Sequence, residues 1–375
     1  MIYLDNAATT YPKPEEVYRA LDKANREFAF NAGRGSYPAA KKTFNMIQQT
    51  RQSLADLIHV SPDTVSFESS ATEALNVIIH GLDFKDGDTV YISPFEHNAV
   101  VRPLYYVKEE RKINIEILPF NKITWDIDTE RMRDMFAIHK PAAVFVSHIS
   151  NVTGYILPYQ EIFSTSSMYG AVNVLDCSQS LGVLNPNPEN VDFIIFAGHK
   201  SLYSSFGAAG FYNLKNRILK VIKSGGTGSD SLNHSMPEEG SQRYEAGSIN
   251  SVAIAGIKSA LEWLYNKDIK QHEAALTAYL ITELRKLDKV HLYLPEDTSR
   301  VIGIVSMNIE GYSPADVGTI LAEDYDICVR TGYHCSPFVH EFIGSLDSLG
   351  TVRISMGAFN TMEDIDKLIA ALSTL

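Results

Sequence analysis

The sequence contains few cysteines, no long apolar run and no excess of positive charge. Its three cysteines, Cys177, Cys328 and Cys335, lack CxxC spacing, which argues against a disulfide framework. The formal net charge is -12 and the basic clusters are short, so no nucleic-acid partner is expected. Apolar runs stay below about 18 residues, and the N-terminus lacks a basic segment before an apolar one. We therefore expect no membrane span and a cytosolic location.

The chain is long and apolar enough to bury a large core. It has 375 residues, of which 45% are hydrophobic, so one large domain with a smaller one is expected. Strand-like and helix-like segments alternate up to about residue 212, which is typical of βαβ units with right-handed crossovers. A Gly-, Ser- and Pro-rich stretch, 223–248, precedes a long helical region and further strands. The pattern predicts an α/β fold: a mainly parallel sheet in the large domain and a smaller α+β C-terminal domain.

Two of the predicted strands are followed by an acid and an amine. The run VNVLD ends in Asp176, and the run VDFIIFA is followed by Gly198, His199 and Lys200. The carboxyl ends of parallel strands meet at one edge of a sheet, where ligands bind in open α/β folds. A lysine that forms a Schiff base and a carboxylate that keeps a ring nitrogen protonated are what pyridoxal phosphate requires. The pair alone fits equally an aspartate that caps a turn and an exposed lysine.

Other polar residues follow strands of the same predicted sheet. Thr72 begins a predicted helix, whose positive end could bind a phosphate or simply be capped. His97 could stack on an aromatic ring, move a proton or only pack. Asn151 could reach a ring oxygen or form an ordinary turn. With Gln179 and His199, these residues would gather at the loop ends of one sheet, which favours the cofactor interpretation.

The sequence as a whole resembles a known family. In order along the chain, ten motifs look like those of cysteine desulfurases and selenocysteine lyases, class-V aminotransferase-like enzymes of pyridoxal phosphate fold type I. They are YLDNAATT, NAGRGSY, ATEALN, EHNAV, SNVTG, DCSQS, GHK, RYEAGSIN, RTGYHCSP and VRISMGAFNT. The resemblance implies a homodimer with its active site near the subunit interface. It also implies a cofactor-binding domain over 15–250 and a small domain over 251–375, which the N-terminal segment 1–14 joins.

The resemblance also implies a role for each matching residue. Lys200 would form the Schiff base and then move the Cα proton, Cys335 would take sulfur as a persulfide, and His97 would join them as a catalytic residue. The expected contacts to pyridoxal phosphate are Ala71, Thr72, His97, Asn151, Asp176, Gln179, His199, Lys200 and, from the other subunit, Ser248. The expected substrate contacts are Arg353, whose planar fork suits a carboxylate, together with Arg34, Arg330 and Asn6.

The preferred reaction converts L-cysteine to L-alanine and leaves sulfur on Cys335 for a sulfur-acceptor protein. L-selenocysteine is an alternative substrate, because it differs by one chalcogen atom and shares every charged group. Another pyridoxal phosphate lyase or transaminase of the same fold is a second alternative. A catalytically degenerate sulfur carrier or scaffold is a third.

The sequence departs from the family pattern near Lys200. Ala197 stands where the family often has a hydroxyl, and Ser204 with Ser205 replaces a usual Gly-Pro pair. These departures leave room for a degenerate protein with altered cofactor binding. A metal site built from His334, Cys335 and His340 would lack a fourth ligand at usual spacing, so no metal is expected.

Overall fold

A computed structural model describes residues 1–32, 35–228 and 232–375. The strands are β1 Ile2–Tyr3, β2 Val65–Glu68, β3 Thr89–Ile92, β4 Asn114–Ile117, β5 Pro141–Ser147, β6 Val172–Asp176, β7 Phe193–Ala197, β8 Ala209–Asn213, β9 Val290–Tyr293, β10 Ile304–Ile309, β11 Ile327–Cys328, β12 Arg330–Gly332 and β13 Thr351–Ser355. The helices are α1 Glu15–Glu27, α2 Pro38–Asp56, α3 Ala71–Gly81, α4 Asn98–Arg111, α5 Thr129–Ile138, α6 Tyr159–Ser167, α7 Ser251–Leu264, α8 Ile269–Leu284, α9 Pro314–Tyr325, α10 Pro337–Phe342 and α11 Met362–Leu372. Within these ranges, no helix is both long and apolar enough to cross a lipid bilayer.

The largest sheet has seven strands in the order β2-β8-β7-β6-β5-β3-β4. Strands β4, β3, β5, β6 and β7 pair in parallel, and β8 runs antiparallel to both β7 and β2. The sheet is therefore mainly parallel, as the alternating strand and helix pattern predicts. Parallel pairing brings the ends of β3, β5, β6 and β7 to one edge, from which the loops of the site emerge.

Side chains of the central strands pack on both faces of this sheet. In β5, Val144 and Val146 join one apolar layer, whereas Ala143 and Phe145 join the layer on the opposite face. Successive side chains of a strand point to opposite faces, so a strand covered on both sides must be apolar at every position. This explains the continuous apolar runs in the sequence and gives the site a rigid support.

A smaller sheet has the order β12-β13-β10-β9, with antiparallel pairing throughout. The predicted single strand DICVRT is divided between two sheets, because β11 pairs with β1 whereas β12 pairs with β13. The N-terminal strand β1 lies parallel to β11, with Ile2 opposite Ile327. The start of the chain thus packs on its C-terminal part.

The predicted long helical region after residue 250 consists of two helices. Helix α7 ends at Leu264, and α8 starts after Asp268, whose side chain accepts a hydrogen bond from the Gln271 N–H at 3.0 Å. Helix α7 packs against α1 and α2, whereas α8 contributes Leu276 and Leu280 to the apolar cluster of the smaller sheet. The division into domains at residue 250 stays a prediction.

Candidate active site

A cavity of about 240 Å³ opens at the carboxyl edge of the large sheet. Eleven of the residues predicted from the sequence line it: Ala71, Thr72, His97, Asn151, Asp176, Gln179, His199, Lys200, Arg330, Cys335 and Arg353. They come from the loops after five strands of the large sheet and from two strands of the smaller sheet and the loop between them. The cavity therefore lies where the two parts of the chain meet.

Three predicted residues are not among those that line the cavity. Asn6 is buried beside it, where its Nδ2 donates to Ser355 O and to Asn360 Oδ1, both at 3.1 Å. Ser248 is exposed and lies outside the cavity. Arg34 lies outside the described residues. Asn6 thus supports the wall of the cavity rather than facing it.

Lys200 and Asp176 both line the cavity. Asp176 ends β6, and its Oδ1 accepts hydrogen bonds from the Ser178 N–H at 2.9 Å and the Ser178 hydroxyl at 2.5 Å. Burial lowers the pKa of Lys200, and the nearby Asp176 carboxylate opposes this shift. A larger fraction of neutral amine is therefore present than an exposed lysine would have, which suits a nucleophile and a base.

His97 is held as a neutral ring. It precedes α4, and its Nδ1 accepts a hydrogen bond from the Ala99 N–H at 3.0 Å. Burial lowers the pKa of His97 to about 3, and the positive charges of Lys200 and Arg330 add to the effect. A ring fixed by its helix and without charge is suited to stacking on a flat ligand.

His199 stands at the turn that leads into Lys200. Its ring stacks on Phe206 with centroids 4.4 Å apart, and burial lowers its pKa to about 3. Its Nδ1 is buried and has no hydrogen-bond partner within the described ranges. The turn itself is tight, because the Tyr203 N–H donates to Lys200 O and the Ser204 N–H donates to Gly198 O, both at 2.8 Å. These two hydrogen bonds therefore close the loop after Lys200, although Ser204 and Ser205 stand where the family usually has a Gly-Pro pair.

Arg353 lies in β13, and its side chain is almost completely buried. One of its terminal nitrogens donates to Asp5 Oδ1 at 2.6 Å and the other to Asn151 O at 2.9 Å. Its Nε is buried without a hydrogen-bond partner in the part of the chain that the structure describes. Asp5 lies in the motif YLDNAATT, so a motif signal existed for it, but no role was predicted for this residue.

Of the three cysteines, only Cys335 is exposed, whereas Cys177 is buried and Cys328 is half-buried. Burial raises the pKa of Cys177 far above its ordinary value. The Sγ atom of Cys335 lies 3.8 Å from a terminal nitrogen of Arg330, at the mouth of the cavity. Cys335 is thus the cysteine whose sulfur is accessible to a molecule bound in the cavity.

A buried carboxyl that the sequence analysis missed lies behind Asp176. Glu96 accepts hydrogen bonds from the Ser147 N–H at 2.7 Å, from the Ser147 hydroxyl at 3.0 Å and from the Ser93 hydroxyl. Ser147 is the β5 residue that pairs with Asp176 on β6. Burial raises the pKa of Glu96 to about 7, and the Asp176 charge contributes to this shift. Glu96 thus connects the strand end beneath the site with the loop that carries His97.

The groups around the cavity fit pyridoxal phosphate. Ser70 caps α3 by accepting from the Glu73 N–H, and the first N–H groups of a helix have no acceptor within it. The N-terminus of α3 therefore presents donors to an anion, beside Thr72. The unpartnered Nδ1 of His199 and the buried amine and carboxylate of Lys200 and Asp176 supply the other polar groups that this cofactor requires.

Comparisons with known proteins show the family of the chain. A model of the aminotransferase class-V family matches residues 2–368. The chain belongs to the class-V aminotransferase family. A probable cysteine desulfurase of Methanothermobacter thermautotrophicus is 29% identical, with 98% of this chain and 92% of that protein covered. One of Treponema pallidum is 30% identical, with 99% and 93% covered.

Solved structures agree with the fold. An apo structure of a cysteine desulfurase from Thermococcus onnurineus superimposes with a TM-score of 0.92 and 27% sequence identity, over 100% of this chain and 94% of that one. The predicted fold class, an α/β fold of type I with a mainly parallel sheet, is thereby confirmed. Within this class-V aminotransferase fold, no local sequence pattern predicts that Arg353 contacts Asp5, because the two residues are 348 positions apart.

Proposed function

We propose that this protein is a pyridoxal phosphate-dependent cysteine desulfurase, which removes sulfur from L-cysteine and leaves L-alanine. One observation carries the proposal: the single exposed cysteine thiol, Cys335, lies at the mouth of the cavity that also holds Lys200 and Asp176. A transaminase needs the amine and the carboxylate but has no use for a thiol at that position. The thiol would take the sulfur atom as a persulfide.

Pyridoxal phosphate, when bound, supplies a ring that draws electrons away from the Cα atom of an amino acid. Asp176, held by two hydrogen bonds from Ser178, would keep the ring nitrogen protonated. Lys200 would hold the cofactor and, as a neutral amine, remove the Cα proton of the substrate. His97 would cover one face of the ring, and Thr72 and His199 would bind the phosphate.

Arg353 would bind the substrate carboxylate. Its guanidinium is oriented by Asp5 and by the main-chain oxygen of Asn151, so little side-chain freedom remains to be lost on binding. Arg330 would contact the sulfur of Cys335 from 3.8 Å. Asn151 and Gln179 would contact the ring oxygen from the wall of the cavity.

A homodimer is part of the proposal. Ser248 is exposed outside the cavity of its own chain, and the same segment is anchored by the buried ion pair of Glu245 with Arg51 at 2.6 Å. A firmly held, outward-facing serine is consistent with a contact to the phosphate of a second subunit. Sedimentation would give the oligomeric state. Mixed dimers of Ser248→Ala and Lys200→Ala chains would regain activity at one of their two sites if each site uses Ser248 of the other chain, because that site combines the intact Lys200 of one chain with the intact Ser248 of its partner. If each site uses Ser248 of its own chain, both sites lack one residue and the mixed dimers stay inactive.

The first test is an absorbance spectrum of the purified protein from about 300 to 500 nm, before and after L-cysteine is added. We expect a cofactor band that changes with L-cysteine and that Lys200→Ala alters. A protein that stays colourless after incubation with pyridoxal phosphate would refute the enzyme proposal and would support a degenerate carrier or scaffold.

The second test separates the desulfurase from other enzymes of this fold. Cys335→Ala should reduce sulfide and alanine release to background while the cofactor band persists. Cys328→Ala is the matched control, because Cys328 is a half-buried cysteine of β11 outside the cavity. Full activity in Cys335→Ala would indicate a different lyase or a transaminase.

Two other predictions need separate experiments. Assays that compare L-cysteine with L-selenocysteine would show which of the two is the substrate. Cell fractionation would test the predicted cytosolic location and recover a sulfur-acceptor protein.

A further inference from the structure

Cys335 lies in a turn that its own sequence does not favour. The Ser336 N–H donates to Tyr333 O at 3.0 Å, which closes a four-residue turn. Both central residues are in the left-handed region, His334 with φ 47° and Cys335 with φ 58°. These are the φ values of a type I′ turn, in which Gly and Asn are the usual central residues. Because His and Cys adopt this conformation reluctantly, contacts from outside the turn must hold it.

Besides the contacts of the His334 ring with Thr351, three hydrogen bonds hold this turn from outside. The Asn98 N–H, at the start of α4, donates to Cys335 O at 2.7 Å. Asn151 supplies the other two, because its Nδ2 donates to His334 O and its Oδ1 accepts from the Ser336 hydroxyl, both at 2.8 Å. Ser336 is buried, with 1% of its surface exposed. The side-chain amide of Asn151 therefore forms hydrogen bonds with the residues immediately before and after Cys335.

We propose that Ser336 is a positioning residue, which acts through Asn151 to hold the Cys335 sulfur at the mouth of the cavity. The Asn151 main-chain oxygen also accepts from Arg353, at 2.9 Å. One residue therefore sets the distance between the thiol and the guanidinium that would bind a substrate carboxylate. This consequence rests on the proposed desulfurase function, whereas the positioning of the thiol can be measured without it.

The test compares Ser336→Ala with Ser166→Ala. Ser166 is a matched control, because it is also buried and its hydroxyl likewise donates to an asparagine Oδ1, that of Asn173 at 2.7 Å, but it lies in α6 and outside the cavity. Cofactor-free protein is alkylated with neutral iodoacetamide and with anionic iodoacetate, and Cys335→Ala provides the background. The guanidinium groups of Arg330 and Arg353, which line the same cavity as the thiol, should favour the anionic reagent. We expect the iodoacetate-to-iodoacetamide rate ratio to fall several-fold in Ser336→Ala and to stay at the wild-type value in Ser166→Ala.

Turnover gives a second readout. In Ser336→Ala, kcat for sulfur release should fall between about tenfold and a hundredfold, because the thiol is misplaced. KM for L-cysteine should stay near the wild-type value, since Arg353 is unchanged. Ser336→Thr, which keeps the hydroxyl, should restore the alkylation ratio. A merely structural serine would change the melting temperature without changing the ratio or separating kcat from KM.

An unchanged alkylation ratio in Ser336→Ala would overturn the proposal, as would an equal change in Ser166→Ala. If Ser336→Ala does not fold, hydrogen exchange of the wild-type protein gives the answer. The N–H groups of Asn98 and Ser336 should then exchange as slowly as those of β5, and rapid exchange would contradict a held turn. Alkylation and exchange need neither cofactor nor turnover, so a failure of the desulfurase proposal would be recognised separately by its spectrum.

Discussion

Replacing Glu96 with glutamine should stabilise the protein at about pH 8 relative to the wild type, but not at about pH 5. Glu96 is fully buried, and its hydrogen bonds come from the uncharged groups of Ser93 and Ser147. Within the residues that the structure describes, no cation forms an ion pair with it. Burial raises the pKa of Glu96 from 4.5 to about 7, so its ionised form is disfavoured in the folded protein.

The size of the effect follows from this difference in pKa. Below the unfolded-state pKa, both states carry the proton and Glu96 adds no pH dependence. As the pH rises from 4.5 to about 7, the folded state retains a proton that the unfolded state has lost, so stability falls. At about 1.36 kcal/mol per pH unit, the loss is about 3 kcal/mol when both states are ionised.

Glutamine avoids this loss while it preserves the contacts. Its carbonyl oxygen can accept from the Ser147 N–H and the Ser93 hydroxyl, and its amide can donate to the Ser147 hydroxyl oxygen. The assay is urea unfolding of cofactor-free protein between about pH 5 and pH 8, with Glu109→Gln as a control on an exposed glutamate. If wild type and Glu96→Gln lose stability in parallel as the pH rises, Glu96 is not the source and the reasoning is refuted.

Three further predictions concern other buried charges. Arg353→Lys should raise KM for L-cysteine by about tenfold, because an ammonium cannot replace the bidentate fork, and an unchanged KM would exclude carboxylate binding there. Glu245→Gln should lower the free energy of unfolding by about 3 kcal/mol in urea, because it leaves Arg51 buried without its carboxylate, and a loss below about 1 kcal/mol would contradict this. Burial lowers the pKa of Lys13 from 10.5 to about 7, so wild-type stability should rise with pH across that interval. Lys13→Met, measured by the same urea unfolding, should lack this rise, and identical pH profiles would refute the assignment.

Much of the site could be predicted because it depends on a simple rule of α/β folds. Asp176 and Lys200 follow buried parallel strands, so their meeting at one edge of the sheet follows from strand direction alone. The break between α7 and α8 was not predicted, because apolar spacing continues across it and the cap at Asp268 is a weak local signal. The division of DICVRT between two sheets was missed because both halves have the same apolar character.

By itself, the sequence determined the fold class, the order of the strands that carry polar ends, and the identity of the residues with reactive side chains. These properties depend on periodicity and on residue type, both of which can be read locally. Only the tertiary structure decided that Asp5 meets Arg353, that Glu96 lies behind Asp176, and that Asn151 holds the turn around Cys335. Such contacts join residues far apart in the chain, and hydrogen bonds formed across packed elements leave no periodic trace in either segment.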